Sequence, residues 1–313
     1  MNILVTGGAG FIGSHLVKKL VELNHEVFTV ITPFERCEKL YEDMLQGSTV
    51  ISGDLRDRHS LDLAIRQSRP KVVFHLAALT SVAESFRCPV AYSETNILGT
   101  IGLVNASMRH SELEKFIMTT SPEMLKPRKE SYKEDQYEFG TNSPYGLSKV
   151  HNYLYLKHVY EAYGFPAICT LPNNCYHRKS SIRYVTEKVV TGVMKGKLRL
   201  YGSPEDAVRN YTYIDDAIDG LITVMEKGEV GRTYHLCRED YYSIGQMVEM
   251  AKEVLNANAE VEWGVGAGRP IDPQYLLLDP KLTYWALSWR PKVSLKEGIK
   301  RVASYWEKLK TGC

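Results

Sequence analysis

The segment TGGAGFIG, residues 6–13, constrains this chain more than any other stretch. It sets Gly7, Gly10 and Gly13 in G-x-x-G-x-x-G spacing, after the apolar run NILVT and before the amphipathic run SHLVKKLVELN. Glycine is needed where a turn takes dihedrals closed to other residues, and where backbone must lie close to a pyrophosphate. The helix that follows offers its first N–H groups, here those of Phe11, Ile12 and Gly13, and the positive end of its dipole to that phosphate. The segment therefore reads as a dinucleotide site on the first turn of a βαβ unit.

The rhythm continues downstream. EVFTVI, STVISGDL, KVVFHLAA, KFIMTT and PAICTLPN read as strands. SLDLAIRQ, residues 90–107 and residues 144–163 read as helices. Such alternation predicts an α/β fold, a Rossmann-like doubly wound parallel sheet with right-handed crossovers. From about residue 180 the pattern shifts to YVTEKVVTGVMKG, DDAIDGLITVMEKG and IGQMVEMAKEVL, with short strands and the proline-punctuated GAGRPIDPQ. We set an NAD(P)-binding domain at residues 1–170 and a smaller C-terminal substrate-binding lobe at 171–313, some of whose segments return to the first domain.

Composition narrows the class of function. The 313 residues carry a net charge of +2 with basic residues scattered, which gives no basis for a nucleic-acid partner. No apolar stretch approaches a membrane span, and the glycine-rich N-terminus does not resemble a secretory signal. Cys37, Cys88, Cys169, Cys175, Cys237 and Cys313 form neither a C-x-x-C pair nor a metal spacing, so reduced thiols of a cytoplasmic protein and no metal site are expected.

Cofactor choice turns on the end of the second strand, where a carboxylate binds the ribose of NAD and an arginine favours the 2′-phosphate of NADP. EVFTVI is followed by Thr32 and Pro33, and then by Glu35 and Arg36. The balance leans to NADP, with Thr32 and Arg36 as ligands, and NAD stays open. Asp54, in GDL at the end of the third strand, reads either as an adenine ligand with Leu55 beside it or as a turn residue.

Two further motifs carry chemistry. SPYGLSK places Tyr145 and Lys149 four apart, on one face of a helix. An ammonium near a phenol lowers its pKa and lets it act as a base toward an alcohol. The spacing recurs at Tyr153/Lys157 and Tyr184/Lys188, which read as solvated helix faces. TTSPEML follows an apolar strand with hydroxyls, a proline and a carboxylate. Proline ends strand pairing, which leaves Glu123 at the mouth of the sheet.

Taken together, TGGAGFIG, GDL, VFHLAA, Asn96 in ETNILGT, SPYGLSK, RNYTYIDDA and WRPKVSLKEGI resemble the extended short-chain dehydrogenase/reductase family that modifies nucleotide sugars. The resemblance runs over nearly the whole chain. It implies a nicotinamide cofactor bordered by Leu76, Ala77, Ala78, Tyr145 and Lys149, and a nucleotide-diphosphate sugar on the C-terminal lobe. It makes Tyr145 and Lys149 the catalytic pair and Ser121 the hydroxyl partner of the oxidised sugar. Thr80, Ser81 and Val82 become the active-site wall. It also implies a homodimer through the helix near Asn96 and the one carrying Tyr145.

Glu123 falls where hexose 4,6-dehydratases and decarboxylases of this family carry a glutamate, which takes the C5 proton once C4 is a ketone. The chain is similar in particular to GDP-mannose 4,6-dehydratases through EAYGFPAICTLPNN and YVTEKVV, which nominates Asn174, Thr186, Lys188, Arg209 and Arg269 for the sugar and diphosphate. Departures from the pattern are Pro122 in place of Asp or Ser, Leu125-Lys126 in place of Tyr-Gly, Leu171 in place of arginine, and CYHRKSS in place of a glycine-rich turn. The resemblance thus implies a nucleotide-sugar 4,6-dehydratase. A 4-epimerase or a uronate decarboxylase on the same scaffold, or a catalytically silent cofactor-binding regulator, are the alternatives.

Overall fold

The computed structural model describes residues 1–32, 39–110, 112–177, 184–265 and 270–311. Seven strands form the central sheet: β1 (Asn2–Thr6), β2 (Glu26–Ile31), β3 (Thr49–Ser52), β4 (Val72–His75), β5 (Lys115–Thr119), β6 (Ala167–Pro172) and β7 (Thr233–Leu236). Their order is β7-β6-β5-β4-β1-β2-β3, and every neighbouring pair is parallel. The order reverses beside β1, and the glycine loop leaves from the C-terminal end of that strand. This is where an open α/β sheet presents its ligand crevice.

Eight longer helices flank or extend the sheet: α1 (Phe11–Glu22), α2 (Arg58–Ser68), α3 (Gly99–His110), α4 (Pro144–Tyr163), α5 (Val185–Met194), α6 (Ile214–Lys227), α7 (Ile244–Leu255) and α8 (Leu295–Thr311). Strand alternation assigns the two faces. Ile3 and Val5 of β1 pack with Leu16, Val17 and Leu20 of α1 and with Ile218 and Leu221 of α6. Leu4, between them, faces the other way, into a core with Leu61 and Ile65 of α2, Leu103 of α3 and Leu156 of α4. Both faces of the sheet are therefore covered, as a parallel sheet requires.

The second half of the chain is not a separate layer. β7 completes the sheet beside β6, and α6 shares the apolar cluster of α1. Three short parallel pairs build the rest of the lobe: Cys175–Tyr176 with Thr212–Tyr213, Lys197–Arg199 with Glu260–Glu262, and Val208–Arg209 with Tyr275–Leu276. Among the described residues no helix is long and apolar enough to cross a membrane.

Two local readings change. The stretch STVISGDL forms a strand only over Thr49–Ser52, so Asp54 lies beyond its end. The helical run expected at 90–107 begins as Pro89–Tyr92, passes through a π-helical turn at Ser93–Leu98 and only then becomes α3.

Candidate active site

The glycine loop has the form a dinucleotide needs. Gly7 has φ +73°, and a Cβ there would lie 2.7 Å from the Ala77 nitrogen. A Cβ on Gly13 would lie 2.0 Å from the Gly7 carbonyl oxygen, and the Gly10 N–H donates to that same carbonyl at 3.0 Å. Neither Gly7 nor Gly13 can carry a side chain without moving backbone. Gly10 is the N-cap of α1, no side chain caps that end, and the first turn holds no acidic residue. The amides of Phe11, Ile12 and Gly13 thus face outward at the positive end of the helix dipole, and the cradle fits a pyrophosphate. Leu76, Ala77 and Ala78 line the adjacent rim after β4, and the Ala77 N–H donates to Thr6 Oγ1 at 3.3 Å.

The adenosine end is more constrained than the sequence indicates. Arg56 forks onto Asp54, with contacts from 2.6 to 3.2 Å, and holds its carboxyl below the usual range. Leu55 is buried beneath it. Thr32 follows the last residue of β2, whereas Arg36 lies outside the described residues.

The catalytic wall is built where β5 meets the start of α4. Ser121 is extended, Pro122 takes the first position of a 3₁₀ turn over Pro122–Met124, and the Glu123 N–H donates to Ser121 Oγ at 3.2 Å. Proline suits that position because its missing N–H would have no partner there and its φ is preset. The proline of TTSPEML is thus a turn initiator that fixes Ser121 and Glu123 side by side. The same logic starts α4: Ser143 Oγ accepts from the Gly146 N–H at 3.0 Å, and Pro144 follows. The two turns touch at Gly146, a residue the sequence reading passed over. A Cβ there would lie 2.4 Å from the Glu123 carbonyl oxygen and 1.8 Å from Thr141 Oγ1.

Tyr145 and Lys149 project from α4 into this wall and are both buried. Burial raises the Tyr145 phenol well above its ordinary value. The Ser121 hydroxyl opposes the rise, and the Glu123 carboxylate, Tyr92 and Tyr184 reinforce it. Lys149 stands beside the phenol, as the spacing implied. Its ammonium donates to the Thr119 carbonyl at 3.2 Å, lies 5.8 Å from the Tyr145 ring centroid, and is itself brought down to about 8 by burial. The lysine binds α4 to the end of β5, and burial favours the protonated form of the tyrosine.

Two more tyrosines surround the Tyr145 phenol. Tyr92 meets the Tyr145 ring edge-on at 6.4 Å, and its hydroxyl donates to the Ser81 carbonyl at 2.6 Å. The loop with Thr80, Ser81 and Val82 is thereby drawn to the same pocket. Tyr184 packs against Phe11 of the glycine loop, the rings tilted and their centroids 5.2 Å apart. Tyr92 carried no sequence signal and Tyr184 was read only as part of a solvated pair, because both approach Tyr145 from distant segments.

The residues nominated on the lobe divide. Asn174 is exposed, takes φ +38° and donates to Asn173 Oδ1 at 2.8 Å. Thr186 is buried in α5, while Lys188 is exposed on it. Arg209 turns its guanidinium inward, donating to the carbonyls of Val208, Pro273 and Gln274 at 2.7 to 3.2 Å and facing Asp272 at 3.4 Å. In this arrangement it holds residues 272–274 in place, and Arg269 lies outside the described residues.

The other two Y-x-x-x-K pairs also depart from expectation in one case. Tyr184 and Lys188 are exposed as read. Tyr153 and Lys157 are not a solvated face: Tyr153 is buried, and both side chains reach Asp135, at 2.9 and 2.8 Å. Asp135 comes from the loop between the catalytic turn and α4, which the helix pattern alone could not place.

Comparison with known proteins agrees with this geometry. The family model described as GDP-mannose 4,6 dehydratase matches residues 4–302. A mouse protein named dTDP-D-glucose 4,6-dehydratase is 30% identical over 321 residues, covering 98% of this chain and 88% of its own length. The solved UDP-glucose 4-epimerase of Thermotoga maritima, with UDP-glucose, superposes with a TM-score of 0.88 at 29% identity, over 99% of this chain and 100% of that one. The dTDP-glucose 4,6-dehydratase DesIV of Streptomyces venezuelae, with NAD and TYD bound, gives 0.86 at 25% identity, over 100% and 98%.

Proposed function

Because the chain belongs to the extended short-chain dehydrogenase/reductase family of nucleotide-sugar epimerases and dehydratases, we propose that it is an NAD(P)-dependent nucleotide-sugar 4,6-dehydratase. The observation that carries the choice is the turn Pro122–Met124, whose Glu123 N–H donates to Ser121 Oγ and whose Glu123 carboxylate lies within electrostatic reach of Tyr145. A 4-epimerase rotates a 4-keto sugar and needs no such carboxylate, whereas a dehydratase must remove the C5 proton.

A bound nicotinamide supplies the acceptor for the C4 hydride and its return to C6. Tyr145 takes the 4-hydroxyl proton, with Ser121 hydrogen-bonded to the same oxygen, and the new ketone acidifies C5–H. Glu123 takes that proton and passes it to the C6 hydroxyl, which leaves as water; a solvent proton taken up by Glu123 goes to C5 when C6 receives hydride, and the proton held by Tyr145 is released to solvent. Pro122 leaves Glu123 the only carboxylate of its turn. Thr80, Ser81 and Val82 are assigned to the sugar wall and Asn174, Thr186 and Lys188 to the sugar and diphosphate, with Arg209 acting through the segment that it holds; Arg269, assigned with them, lies outside the described residues. Thr32, without a carboxylate, favours NADP, and the solved dehydratase named with NAD favours the other cofactor. Incubation with GDP-, UDP-, dTDP- and CDP-hexoses and each cofactor, read by product mass, tests the reaction and identifies the nucleotide. Unchanged mass selects a 4-epimerase, loss of carbon dioxide from a uronic acid selects a decarboxylase, and tight cofactor binding with no turnover selects a silent regulator.

We place the subunit contact of a homodimer on the helical run around Asn96 and on α4. Val90 and Leu98 on the first and Leu147 and Leu154 on the second are 68, 55, 59 and 48% exposed, more apolar surface than two adjacent helices of a monomer usually show. Sedimentation equilibrium is expected to return a dimer, and a monomer at micromolar concentration would contradict this placement.

A further inference from the structure

Beneath the catalytic pair lies a buried polar chain that the reaction scheme does not use. Its members are Thr6, His75, Asn96, Thr100, Ser148 and Asn152, all no more than 3% exposed. Asn152 stands on α4 seven residues after Tyr145 and three after Lys149, hence on the same helix face. Its amide donates one proton to the Asn96 carbonyl at 2.8 Å and the other to Thr100 Oγ1 at 3.0 Å.

The directions of the remaining bonds follow from the inventory of donors. Thr100 has one proton, and it goes to the Asn96 carbonyl at 2.6 Å. Toward His75 Nε2, at 2.9 Å, Thr100 Oγ1 must therefore accept, so Nε2 carries the ring hydrogen. Burial holds the imidazole neutral by bringing it down to about 3, which leaves Nδ1 to accept from Thr6 Oγ1 at 2.8 Å. Thr6 Oγ1 then accepts from the Ala77 N–H at the rim of the glycine cradle. One set of bond directions satisfies every member.

The Asn96 end of this chain is where it bears on catalysis. Asn96 lies in the π-helical turn Ser93–Leu98, where the regular helical bonds are displaced by one residue and the carbonyls need other donors. With its carbonyl held by Asn152 and Thr100, the Asn96 side chain is free to work outward. It accepts from the Leu79 N–H at 2.8 Å, and it donates to the Leu79 carbonyl at 3.0 Å and to Ser148 Oγ at 3.0 Å. Leu79 leads directly into the Thr80–Ser81–Val82 wall, and Ser148 Oγ donates to the Tyr145 carbonyl at 2.7 Å. The Asn96 amide thus grips the substrate wall and the catalytic helix together, and Asn152 fixes the turn that aims it.

We propose that Asn152 is a positioning residue for the reaction: by donating both amide protons to the π-helical turn, it sets the Leu79 loop and Tyr145 in their working relation. It touches neither cofactor nor substrate and acts through Asn96. The proposal rests on the reading of Tyr145 as the catalytic base, and its test includes a measurement that does not.

Asn152→Leu keeps the volume and removes both donors, whereas Asn152→Asp keeps the shape and reverses the polarity toward two acceptor oxygens. For each, kcat, KM for the nucleotide sugar, cofactor affinity by nicotinamide fluorescence, and hydrogen exchange of the Leu79 amide are compared with wild type. A displacement of about 1 Å at a reacting centre costs up to about 100-fold in rate, so kcat is expected to fall about 10- to 100-fold. Cofactor affinity should stay within about twofold, and the Leu79 amide should exchange at least about tenfold faster, because its acceptor is no longer held.

Unchanged kcat, unchanged Leu79 exchange, or cofactor affinity lost in parallel with kcat would each overturn the proposal. Should Asn152→Leu fail to fold, Asn152→Asp carries the same readouts. A wild type inactive on every nucleotide sugar removes the functional reading alone, and the Leu79 exchange then decides the positioning claim by itself.

Discussion

Tyr145→Phe is expected to lower turnover by about 10³-fold while leaving cofactor affinity within about twofold, since removing a general base costs about 10²–10⁴ in rate. The argument is geometric first. Tyr145 is the phenol on which Ser121, Glu123, Tyr92 and Tyr184 converge, and it stands on a helix whose start is fixed by Ser143 and Pro144. Burial favours the protonated phenol, and Lys149 places one of its three N–H donors on the Thr119 carbonyl. Phenylalanine keeps the ring contact with Tyr92 and removes only the oxygen that must hold the substrate proton. A variant within tenfold of wild type would mean that another group serves as the base. Stopped-flow absorbance at the reduced-nicotinamide band, together with a binding titration, reads both quantities.

Glu123→Gln should separate the two halves of the reaction. The oxidation at C4 needs Tyr145 and Ser121, and it needs no proton acceptor at residue 123. Reduced cofactor is therefore expected to form on mixing with substrate and to persist. Release of product should fall by about 10²–10⁴, the range for loss of an acid–base group, because the amide cannot take the C5 proton. Glutamine preserves the backbone of the turn, whose N–H to Ser121 Oγ comes from the main chain and survives the change. Loss of the carboxylate also removes one influence that raises the Tyr145 phenol, so the oxidation step should be no slower than in wild type. Product formation at the wild-type rate would exclude a role for Glu123 at C5 and return the site to an epimerase.

What could be read from the sequence was local. TGGAGFIG announced the cradle because three glycines at fixed spacing answer to a backbone requirement, and the Cβ clashes at Gly7 and Gly13 are that requirement seen in space. The limits of α4 were legible for the same reason: Ser143-Pro144 caps one end, and Gly164, at φ +66°, closes the other. Sheet order and the return of β7 were legible only as a class of fold, since pairing across a sheet is not written in any one segment.

The rest depended on contacts between residues far apart in the chain. Asp135 reaches α4 from a loop and converts Tyr153/Lys157 from an apparent surface pair into a clasp around one carboxylate, with Tyr153 buried. Arg209 looks from its segment like a free cation for a diphosphate, yet its guanidinium is ringed by the carbonyls of residues 273 and 274. Asn152 sits among the polar and aromatic residues of KVHNYLY with nothing to mark it. Only the π-helical turn opposite, itself invisible in a helical pattern, gives its amide a purpose. Pro122 was the residue most at odds with the expected chemistry, and the structure explains its place in the turn without supplying a second acid.

The central claim is that this site removes water from the hexose of a nucleotide sugar. Its most direct test is the mass of the product formed by the purified protein from GDP-, UDP-, dTDP- and CDP-hexoses with NAD or NADP. The account predicts that one of these substrates is converted to a product lighter by one water, with no net consumption of cofactor. A product of unchanged mass from the preferred substrate would contradict it.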